Sequence, residues 1–279
     1  MSEMIVKGGM VVAAEAYPLL QKAGLTSFNA FMEFTGGTRI CHKRGRSVYR
    51  FEIEGRAFYL KRNRFQRVEF FKRLSRFKLP ARGAWEEWES IRLIREAGLP
   101  TITPVAYGER RFLNLEVGSF TLTEELYDAE PLDSFIEREW SVVPPGSKRK
   151  EKRKIIHDLA RLARRFHERG MNHQDFYLNH FFIDRTGNLY LLDLQRVQHR
   201  PEVPIRFVVK DLGQLFYSSL RFPCLSRSDK MFFLLNYLGI GQLDRKGKSL
   251  AKKVLAKNAR IASHDVKLHA RRRKRGELP

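Results

Sequence analysis

The chain has 279 residues and is 43% hydrophobic, which is enough for one large domain or two smaller units and excludes a disordered chain. Its formal net charge of +22 favours polyanionic partners, which include nucleic acid, anionic lipid headgroups and phosphorylated glycolipids. The two cysteines exclude a disulfide framework, and no run of about 18 uncharged apolar residues occurs, so we expect a cytosolic protein that neither spans a membrane nor is exported.

The first half of the chain predicts a small antiparallel sheet after a mixed N-terminal stretch. Three short strands are predicted, at residues 38–43, 47–53 and 56–62. The breaks at Gly45 and Gly55 mark the turns between these strands. A basic segment, 64–78, precedes a predicted helix at 84–97, and an apolar strand follows at 120–123.

The second half of the chain is predicted to be mostly helical. Helices are predicted at residues 131–140, 148–169, 210–220, 227–237 and 247–267. The basic run at the start of the second of these helices is typical of a solvated helix face, and we expect the basic end, 271–275, to be a disordered tail. A small sheet followed by helices predicts an α+β fold.

A predicted hairpin in the second half carries polar residues at its open end. Its two apolar strands are joined by the turn residues 185–188. If all four belong to the turn, Asp184 pairs with Leu189 and His180 lies directly opposite Asp193. Opposed residues have Cβ atoms about 5 Å apart, so this imidazole and carboxylate are predicted to share one divalent metal.

The residues around this hairpin are suited to phosphoryl transfer. That reaction needs a carboxylate that accepts the proton of the attacking hydroxyl, metal ligands, and a cation on the nucleotide phosphates. Asp175 lies in the loop before the hairpin and is the candidate for the first role. Lys61, on the strand 56–62, is the candidate cation.

Glu87 is predicted to face the interior from the helix at 84–97. Helical spacing places it on the same stripe as apolar residues. Because an unpaired buried charge is costly, an inward carboxylate needs a partner, and Lys61 on a preceding strand is the predicted one.

A strand lysine, a helix glutamate, a His-x-Asp loop and a hairpin-end aspartate occur here in the order typical of eukaryotic-type protein kinases. The chain resembles them in Lys61, Glu87, His173, Asp175 and Asp193. The resemblance implies ATP and Mg²⁺ as cofactors and a protein-kinase-like fold with two lobes, a small antiparallel-sheet N-lobe and a larger, mostly helical C-lobe. It implies that Lys61 contacts the phosphates and that Glu87 pairs with Lys61. Asp175 would be the catalytic base, Asp193 a metal ligand and His173 a structural residue.

The same resemblance implies further nucleotide and support residues. The glycine-rich loop is reduced to Gly45, and the segment of Glu124, Glu125 and Leu126 would give backbone hydrogen bonds to adenine. Asp211 would brace the catalytic loop from a following helix. Two interpretations of His180 stay open, a metal ligand or a hydrogen-bonding residue, because Mg²⁺ prefers oxygen ligands.

Departures from the protein-kinase pattern resemble the lipopolysaccharide kinase family, the kinases of inner-core heptose. Asp193 is followed by Leu194-Gln195 instead of Phe-Gly, and His180 replaces the catalytic-loop asparagine. The resemblance covers residues 47–221 and is carried mainly by the stretches NHQDFYLNHF (172–181) and LDLQRVQ (192–198). It implies an ATP-dependent kinase that phosphorylates a heptose or an octulosonic acid (Kdo) of a lipid-linked core oligosaccharide.

The resemblance also implies a binding partner for the positively charged surface. Anionic headgroups and phosphorylated lipid A attract basic residues by about 1 kcal/mol each, and the basic segment 64–78 and the tail are the candidates. We therefore expect a cytoplasmic protein that is peripheral at the inner face of the bacterial inner membrane, and we do not expect nucleic acid as a partner. The predicted division is an N-terminal extension (1–37), an N-lobe (38–125), a C-lobe (126–267) and a basic tail (268–279).

Two alternative functions stay open. One is a kinase-like phosphotransferase that acts on another small molecule, such as an antibiotic or choline. The other is a non-enzymatic binding protein, either a pseudokinase or an RNA-associated factor that the basic surface recruits. The presence of Lys61, Glu87, Asp175 and Asp193 favours an enzyme.

Overall fold

The chain divides into two compact units. The computed structural model describes residues 3–43, 45–64, 83–112, 115–140 and 146–274. The sheet unit consists of Met1–Tyr127 together with the short segment Asp193–Arg196. The helical unit consists of Asp128–Leu192 and Val197–Pro279.

The sheet unit contains one antiparallel sheet. Its seven strands, in chain order, are β1 Met4–Lys7, β2 Met10–Ala13, β3 Thr38–Lys43, β4 Arg46–Ile53, β5 Arg56–Arg64, β6 Pro104–Phe112 and β7 Leu115–Glu124. Their order across the sheet is β1-β2-β6-β7-β5-β4-β3. The three strands predicted from the sequence are confirmed as β3, β4 and β5, and the apolar strand as part of β7.

The N-terminal stretch is an integral part of this unit. Strand β2 pairs with β6, and the helices α1 (Tyr17–Lys22) and α2 (Phe28–Glu33) add buried side chains to the core beneath the sheet. Phe31 stacks on Phe120 of β7 with ring centroids 4.2 Å apart. Two four-residue strands around a Gly-Gly turn carry too little periodic signal to be found in the sequence.

A buried arginine ties the N-terminal stretch to the sheet. Arg62 on β5 is 5% exposed and donates hydrogen bonds to the backbone carbonyls of Phe31, Met32 and Phe34 at 2.7 to 3.2 Å. These carbonyls lie at the end of α2, where a helix leaves acceptors without intrahelical donors. Burial lowers the pKa of Arg62. The helix α3 (Ala84–Glu96) confirms the predicted helix.

Five helices dominate the helical unit and confirm the five predicted helices. They are α4 Leu132–Trp140, α5 Gly146–Glu168, α6 Ile205–Ser219, α7 Arg227–Leu238 and α8 Arg245–Lys274. The short strands are β8 Ala129–Pro131, β9 Met171–Asn172, β10 Phe181–Asp184, β11 Leu189–Leu191 and β12 Gln198–His199. A small sheet next to a mostly helical remainder confirms the α+β class.

The prediction of a disordered basic tail is wrong for residues 271–274, which continue α8 as a helix. After Gly247 this helix contains no glycine or proline, and its many Ala, Lys, Arg and Leu residues are good helix formers. Residues 275–279 and most of the predicted basic segment 64–78 lie outside the described residues. Within the described ranges, no helix is long and apolar enough to span a membrane.

The predicted hairpin is present as β10 and β11, but its predicted register is wrong by one residue. Ile183 pairs with Leu189, and His180 accepts a hydrogen bond from the amide of Leu192 at 2.8 Å. His180 therefore lies opposite Leu192 and not opposite Asp193.

The turn explains the register. Asp184 pairs with Asn188, so the loop has three residues, and Gly187 closes it with φ +84°. A three-residue loop that ends in a left-handed glycine is a common hairpin connection. The Asp184 carboxylate accepts hydrogen bonds from Thr186 and Asn188, which holds the loop in this form.

Candidate active site

Lys61 and Glu87 form the predicted ion pair in the sheet unit. Lys61 Nζ lies 2.6 Å from Glu87 Oε1. The Glu87 side chain is 1% exposed and that of Lys61 17%, so the pair is largely shielded from solvent. Glu87 shares its buried helix stripe with Trp88, Ile91 and Ile94, as the helical spacing predicts. The pair fixes the lysine ammonium at a defined position above β5.

The segment Asp193–Arg196 brings two more polar groups to this pair. Asp193 Oδ1 lies 4.0 Å from Lys61 Nζ, and its side chain is 42% exposed. Gln195 Nε2 donates to Glu87 Oε2 at 3.1 Å. Glu87 thus holds Lys61 with one carboxylate oxygen and Gln195 with the other.

Two features of this segment bear on the sequence predictions. Asp193 has φ +56°, a left-handed conformation that is uncommon outside glycine and often marks functional sites. Gln195 was not predicted as a site residue. Its position in the sequence could have indicated this role. Protein kinases have a glycine at this position, and the glutamine that replaces it has a side chain long enough to reach Glu87.

The predicted adenine segment is held in place by its own acidic residues. The amides of Glu124 and Glu125 donate to the carbonyls of Thr103 and Ala57 at 3.0 and 2.8 Å. The Glu124 carboxylate pairs with Arg56, and that of Glu125 binds Arg50 through two hydrogen bonds, at 2.9 and 2.6 Å.

These contacts leave one amide of the predicted adenine segment available. The hydrogen bonds from Arg50 hold the pKa of Glu125 below its usual range, and a hydrogen bond from Tyr59 adds to this effect. Within the described ranges, the amide of Leu126 has no acceptor.

Gly45 lies in the turn between β3 and β4 with φ +74°, and its carbonyl accepts from the amide of Arg64 at 2.7 Å.

In the helical unit, Asp211 on α6 braces the loop that contains Asp175, as the sequence predicts. Asp211 is fully buried, and its two carboxylate oxygens accept the amides of His173 and Gln174 at 2.7 and 3.0 Å. His167 Nε2 lies 3.4 Å from the same carboxylate. The brace holds Gln174 at φ +70°, a conformation that glutamine rarely adopts.

Two further residues on the same face of α6 extend this support. Gln214 accepts the amide of Phe176 at 3.1 Å and donates to the carbonyl of Gln174 at 2.8 Å. Ser218 Oγ accepts the amide of Leu178 at 3.1 Å. Sequence reasoning missed both residues, although polar residues three and seven positions after Asp211 on a mostly apolar helix indicate a polar face.

His180 contacts the backbone of the loop. Its Nδ1 lies 2.6 Å from the carbonyl oxygen of Asp175, which is the hydrogen-bonding interpretation of this residue. The metal-ligand interpretation depended on a register that placed His180 opposite Asp193, and that register is wrong. The described ranges contain no group of three or more His, Cys, Asp or Glu residues that could hold a metal. The Asp193 carboxylate nevertheless offers the oxygen ligand that Mg²⁺ prefers.

The chain was compared with known families. Residues 40–237 match the lipopolysaccharide kinase (Kdo/WaaP) family. This range covers more than half of the chain and includes every predicted site residue, from Gly45 to Asp211. The chain belongs to the lipopolysaccharide kinase (Kdo/WaaP) family. It is therefore a kinase that uses ATP, and the resemblance stated from the sequence is confirmed.

Relatives in two organisms support this membership. The chain is 37% identical over 201 residues to a lipopolysaccharide core heptose(I) kinase WaaP of Pseudomonas aeruginosa, covering 69% of this chain and 74% of the relative. It is 32% identical over 203 residues to the WaaP heptose(I) kinase of Escherichia coli K12, covering 70% and 75%. A solved structure titled "WaaP in complex with acyl carrier protein" matches 94% of this chain and 98% of its own with a TM-score of 0.71 and 29% identity.

Proposed function

We propose that this kinase transfers the γ-phosphate of ATP to a hydroxyl of a heptose in the inner core of lipopolysaccharide. The observation that carries the proposal is the Lys61–Glu87 pair beside Asp193, in a chain whose relatives are core heptose(I) kinases. The two relatives act on heptose, so we favour heptose over an octulosonic acid as the acceptor.

Each residue has a defined part in this reaction. Lys61, oriented by Glu87, places its ammonium on the nucleotide phosphates, where it offsets their negative charge. Asp175 accepts the proton of the attacking sugar hydroxyl. Asp193 would hold Mg²⁺, which neutralises charge on the phosphates when bound. His180 fixes the loop through the Asp175 carbonyl and is not proposed as a metal ligand.

The nucleobase site is proposed at the end of β7. The amide of Leu126 is the donor offered to adenine, because the amides of Glu124 and Glu125 donate within the protein. The two carboxylates keep this segment in place through Arg56 and Arg50 and do not contact the base. Gly45 in the turn before β4 would let the backbone approach the phosphates, since a glycine there has no side chain in the way.

An acyl carrier protein is proposed as a second partner. The solved structure that matches this chain over 94% of its length contains such a carrier. The helical unit of this chain contains a cavity of about 420 Å³, a volume in the range of ligand pockets, with mostly apolar walls that include Trp140, Phe216 and Leu234. The charged residues of the lining are Arg227, Asp229 and Lys230, and Asp229 is paired with Lys152. We propose that this cavity takes an acyl chain from the carrier.

A peripheral position at the inner face of the inner membrane is proposed from charge and acceptor. The acceptor is attached to lipid, and α8 is rich in Lys and Arg with Asp265 as its single acidic residue. Basic residues near an anionic surface contribute about 1 kcal/mol each to binding. The basic segment 64–78 is a further candidate in the sequence.

The test is transfer of labelled phosphate from [γ-³²P]ATP to purified core oligosaccharides that carry or lack the first heptose. We expect label only in the oligosaccharide with heptose, and we expect none with the Asp175→Asn variant as control. Label in the heptose-free oligosaccharide would show that the acceptor is another core sugar. Label only in a soluble molecule, such as choline or an aminoglycoside, would contradict the lipopolysaccharide assignment.

A further inference from the structure

Gln214 contacts both peptide groups that flank Asp175. Its Oε1 accepts the amide of Phe176 at 3.1 Å, and its Nε2 donates to the carbonyl of Gln174 at 2.8 Å. One of these groups belongs to the peptide before Asp175 and the other to the peptide after it. Because peptide groups are planar, the two soft backbone torsions of Asp175 lie between these two fixed planes. One side chain therefore restrains both torsions.

The residue before Asp175 needs such support. Gln174 has φ +70°, which costs a residue other than glycine about 1 kcal/mol or more and persists only where surrounding contacts maintain it. Asp211 holds the amide of Gln174, and Gln214 holds its carbonyl. The two side chains, three residues apart on α6, thus hold the strained residue from both ends.

The amide group of Gln214 is suited to this task and is itself fixed. Gln214 is 5% exposed, and its Nε2 donates a second hydrogen bond to the Tyr177 hydroxyl at 3.2 Å. A carboxylate at this position would accept the Phe176 amide but could not donate to the Gln174 carbonyl. A methionine would fill a similar volume and make neither hydrogen bond.

We propose that Gln214 is a positioning residue that sets the backbone geometry of Asp175 for proton acceptance. The proposal rests on the proposed role of Asp175 in phosphoryl transfer. A misplacement of about 1 Å in a reacting group can lower a rate a hundredfold, so a backbone restraint on Asp175 bears directly on turnover. The contacts of Gln214 are within the protein, so we expect its loss to affect turnover more than substrate binding.

The first experiment compares Gln214→Met with the native protein and with Ser218→Ala as a matched control. The control removes one partly buried hydrogen bond from the same helix face to the same loop, but at Leu178. We expect Gln214→Met to lower kcat about ten- to a hundredfold with the KM for ATP and acceptor unchanged, and Ser218→Ala to lower it less than threefold. Equal kcat values for Gln214→Met and native, with both folded by circular dichroism, would overturn the proposal.

The second experiment uses Gln214→Glu and pH. The introduced carboxyl accepts the Phe176 amide in both protonation states, but it donates to the Gln174 carbonyl only when protonated. Burial raises the pKa of a carboxyl, so a growing fraction of the introduced carboxyl is protonated as the pH falls. The ratio of variant to native kcat should therefore rise as the pH is lowered from 8 toward 6. A ratio of variant to native kcat that is constant with pH and close to 1 would contradict the proposal. That result is expected if Gln214 only fills space.

A third readout separates this inference from the proposed function. Hydrogen exchange of the peptide spanning residues 173–180 reports on the loop whether or not an acceptor is found. We expect faster exchange in Gln214→Met than in native or Ser218→Ala. If native protein labels no core oligosaccharide but phosphorylates another acceptor, and Gln214→Met changes both exchange and kcat toward that acceptor as expected, the proposed acceptor fails and the positioning role of Gln214 stands. If native protein labels the oligosaccharide with heptose while exchange and kcat of Gln214→Met equal those of native, the proposed function stands and the positioning role of Gln214 fails.

Discussion

The two units of this kinase hold the side chains proposed for catalysis by different means. In the sheet unit, Lys61 is fixed by direct side-chain contact, since Glu87 binds it and Gln195 binds Glu87. In the helical unit, Asp175 is fixed through its backbone, because Asp211 and Gln214 bind the peptide groups around it. The first arrangement depends on an ion pair between side chains, and the second on hydrogen bonds from side chains to the main chain.

The difference suits the two roles. The lysine remains charged throughout the reaction, so a permanent carboxylate partner both orients it and stabilises its charge. The proposed base changes its protonation during each turnover, so its position has to hold in both protonation states. The hydrogen bonds from Gln214 to the peptide groups on both sides of Asp175 do not depend on the charge of Asp175. Substitutions in the two units are therefore expected to affect stability and turnover in different proportions.

The largest effect is expected at Asp175. Asp175→Ala should lower phosphoryl transfer by roughly a hundredfold or more, because general-base catalysis contributes at least this much. Folding should be preserved, since the loop is held by backbone groups that the variant keeps. Steady-state kinetics together with thermal unfolding measure both effects. Turnover equal to native would refute the assignment.

A smaller loss of activity, together with a loss of stability, is expected for Lys61→Met. Removing the cation should reduce turnover roughly ten- to a hundredfold, in line with the loss of one preorganised charge contact. It also leaves the Glu87 carboxylate, 1% exposed, without its charged partner, which should destabilise the protein by about 3 kcal/mol.

The double variant Lys61→Met/Glu87→Gln is the matched control for this prediction. It removes both charges, so it should recover most of the stability and none of the activity. Urea unfolding and ATP turnover distinguish the two effects. Recovery of turnover in the double variant would show that Lys61 does not contact the phosphates.

A tenfold loss of turnover or less is expected for Gln195→Leu. The variant removes one hydrogen bond to Glu87, and such a bond contributes about 1 kcal/mol. Glu87 would still bind Lys61, but the segment that contains Asp193 would lose its anchor to α3. The KM for ATP, measured at several Mg²⁺ concentrations, should rise more than kcat falls. An unchanged Mg²⁺ dependence would show that Gln195 does not help to place Asp193.

The smallest effect is expected at Asp184 and concerns stability. Burial alone would raise the pKa of Asp184, but hydrogen bonds from Thr186, Asn188 and Tyr190 lower it to about 2. The ionised form is favoured in the folded state, so this stabilisation is present above pH 4 and is lost as pH falls toward 2. Because the side chain is near the surface, solvent screening limits the contribution to about 1 kcal/mol. The difference in unfolding free energy between native and Asp184→Asn should shrink between pH 4 and 2, and a constant difference would contradict this.

The ion pair and the brace from Asp211 could be predicted from the sequence, but the contacts of Gln214 and Gln195 could not. Helical periodicity placed Glu87 inside, and the cost of an unpaired buried charge then required Lys61. Gln214 and Gln195 bind partners that no local pattern indicates. For Gln214 the partners are main-chain groups 38 and 40 positions away, and main-chain groups carry no residue type.

The hairpin shows a different limit. The sequence indicated its strands and its turn residues, but not whether the turn has three or four residues. That difference of one residue moved His180 from opposite Asp193 to opposite Leu192. The choice depends on how the Asp184 side chain binds the loop amides, which is a property of the folded turn. The geometric argument for a metal shared by His180 and Asp193 depended on the four-residue turn.

Helix α6 has two sets of contacts. Asp211 and Gln214 hold the loop around Asp175, and the neighbouring Leu212 and Leu215 are part of the wall of the apolar cavity. Leu178, in the loop after Asp175, also lines this cavity, and its amide is held by Ser218 of the same helix. A ligand in the cavity would be linked to the loop only if it bound one position of the loop or helix more tightly than another, and such linkage is reciprocal. The loop that holds Asp175 would then be the element through which occupancy of the cavity reaches phosphoryl transfer.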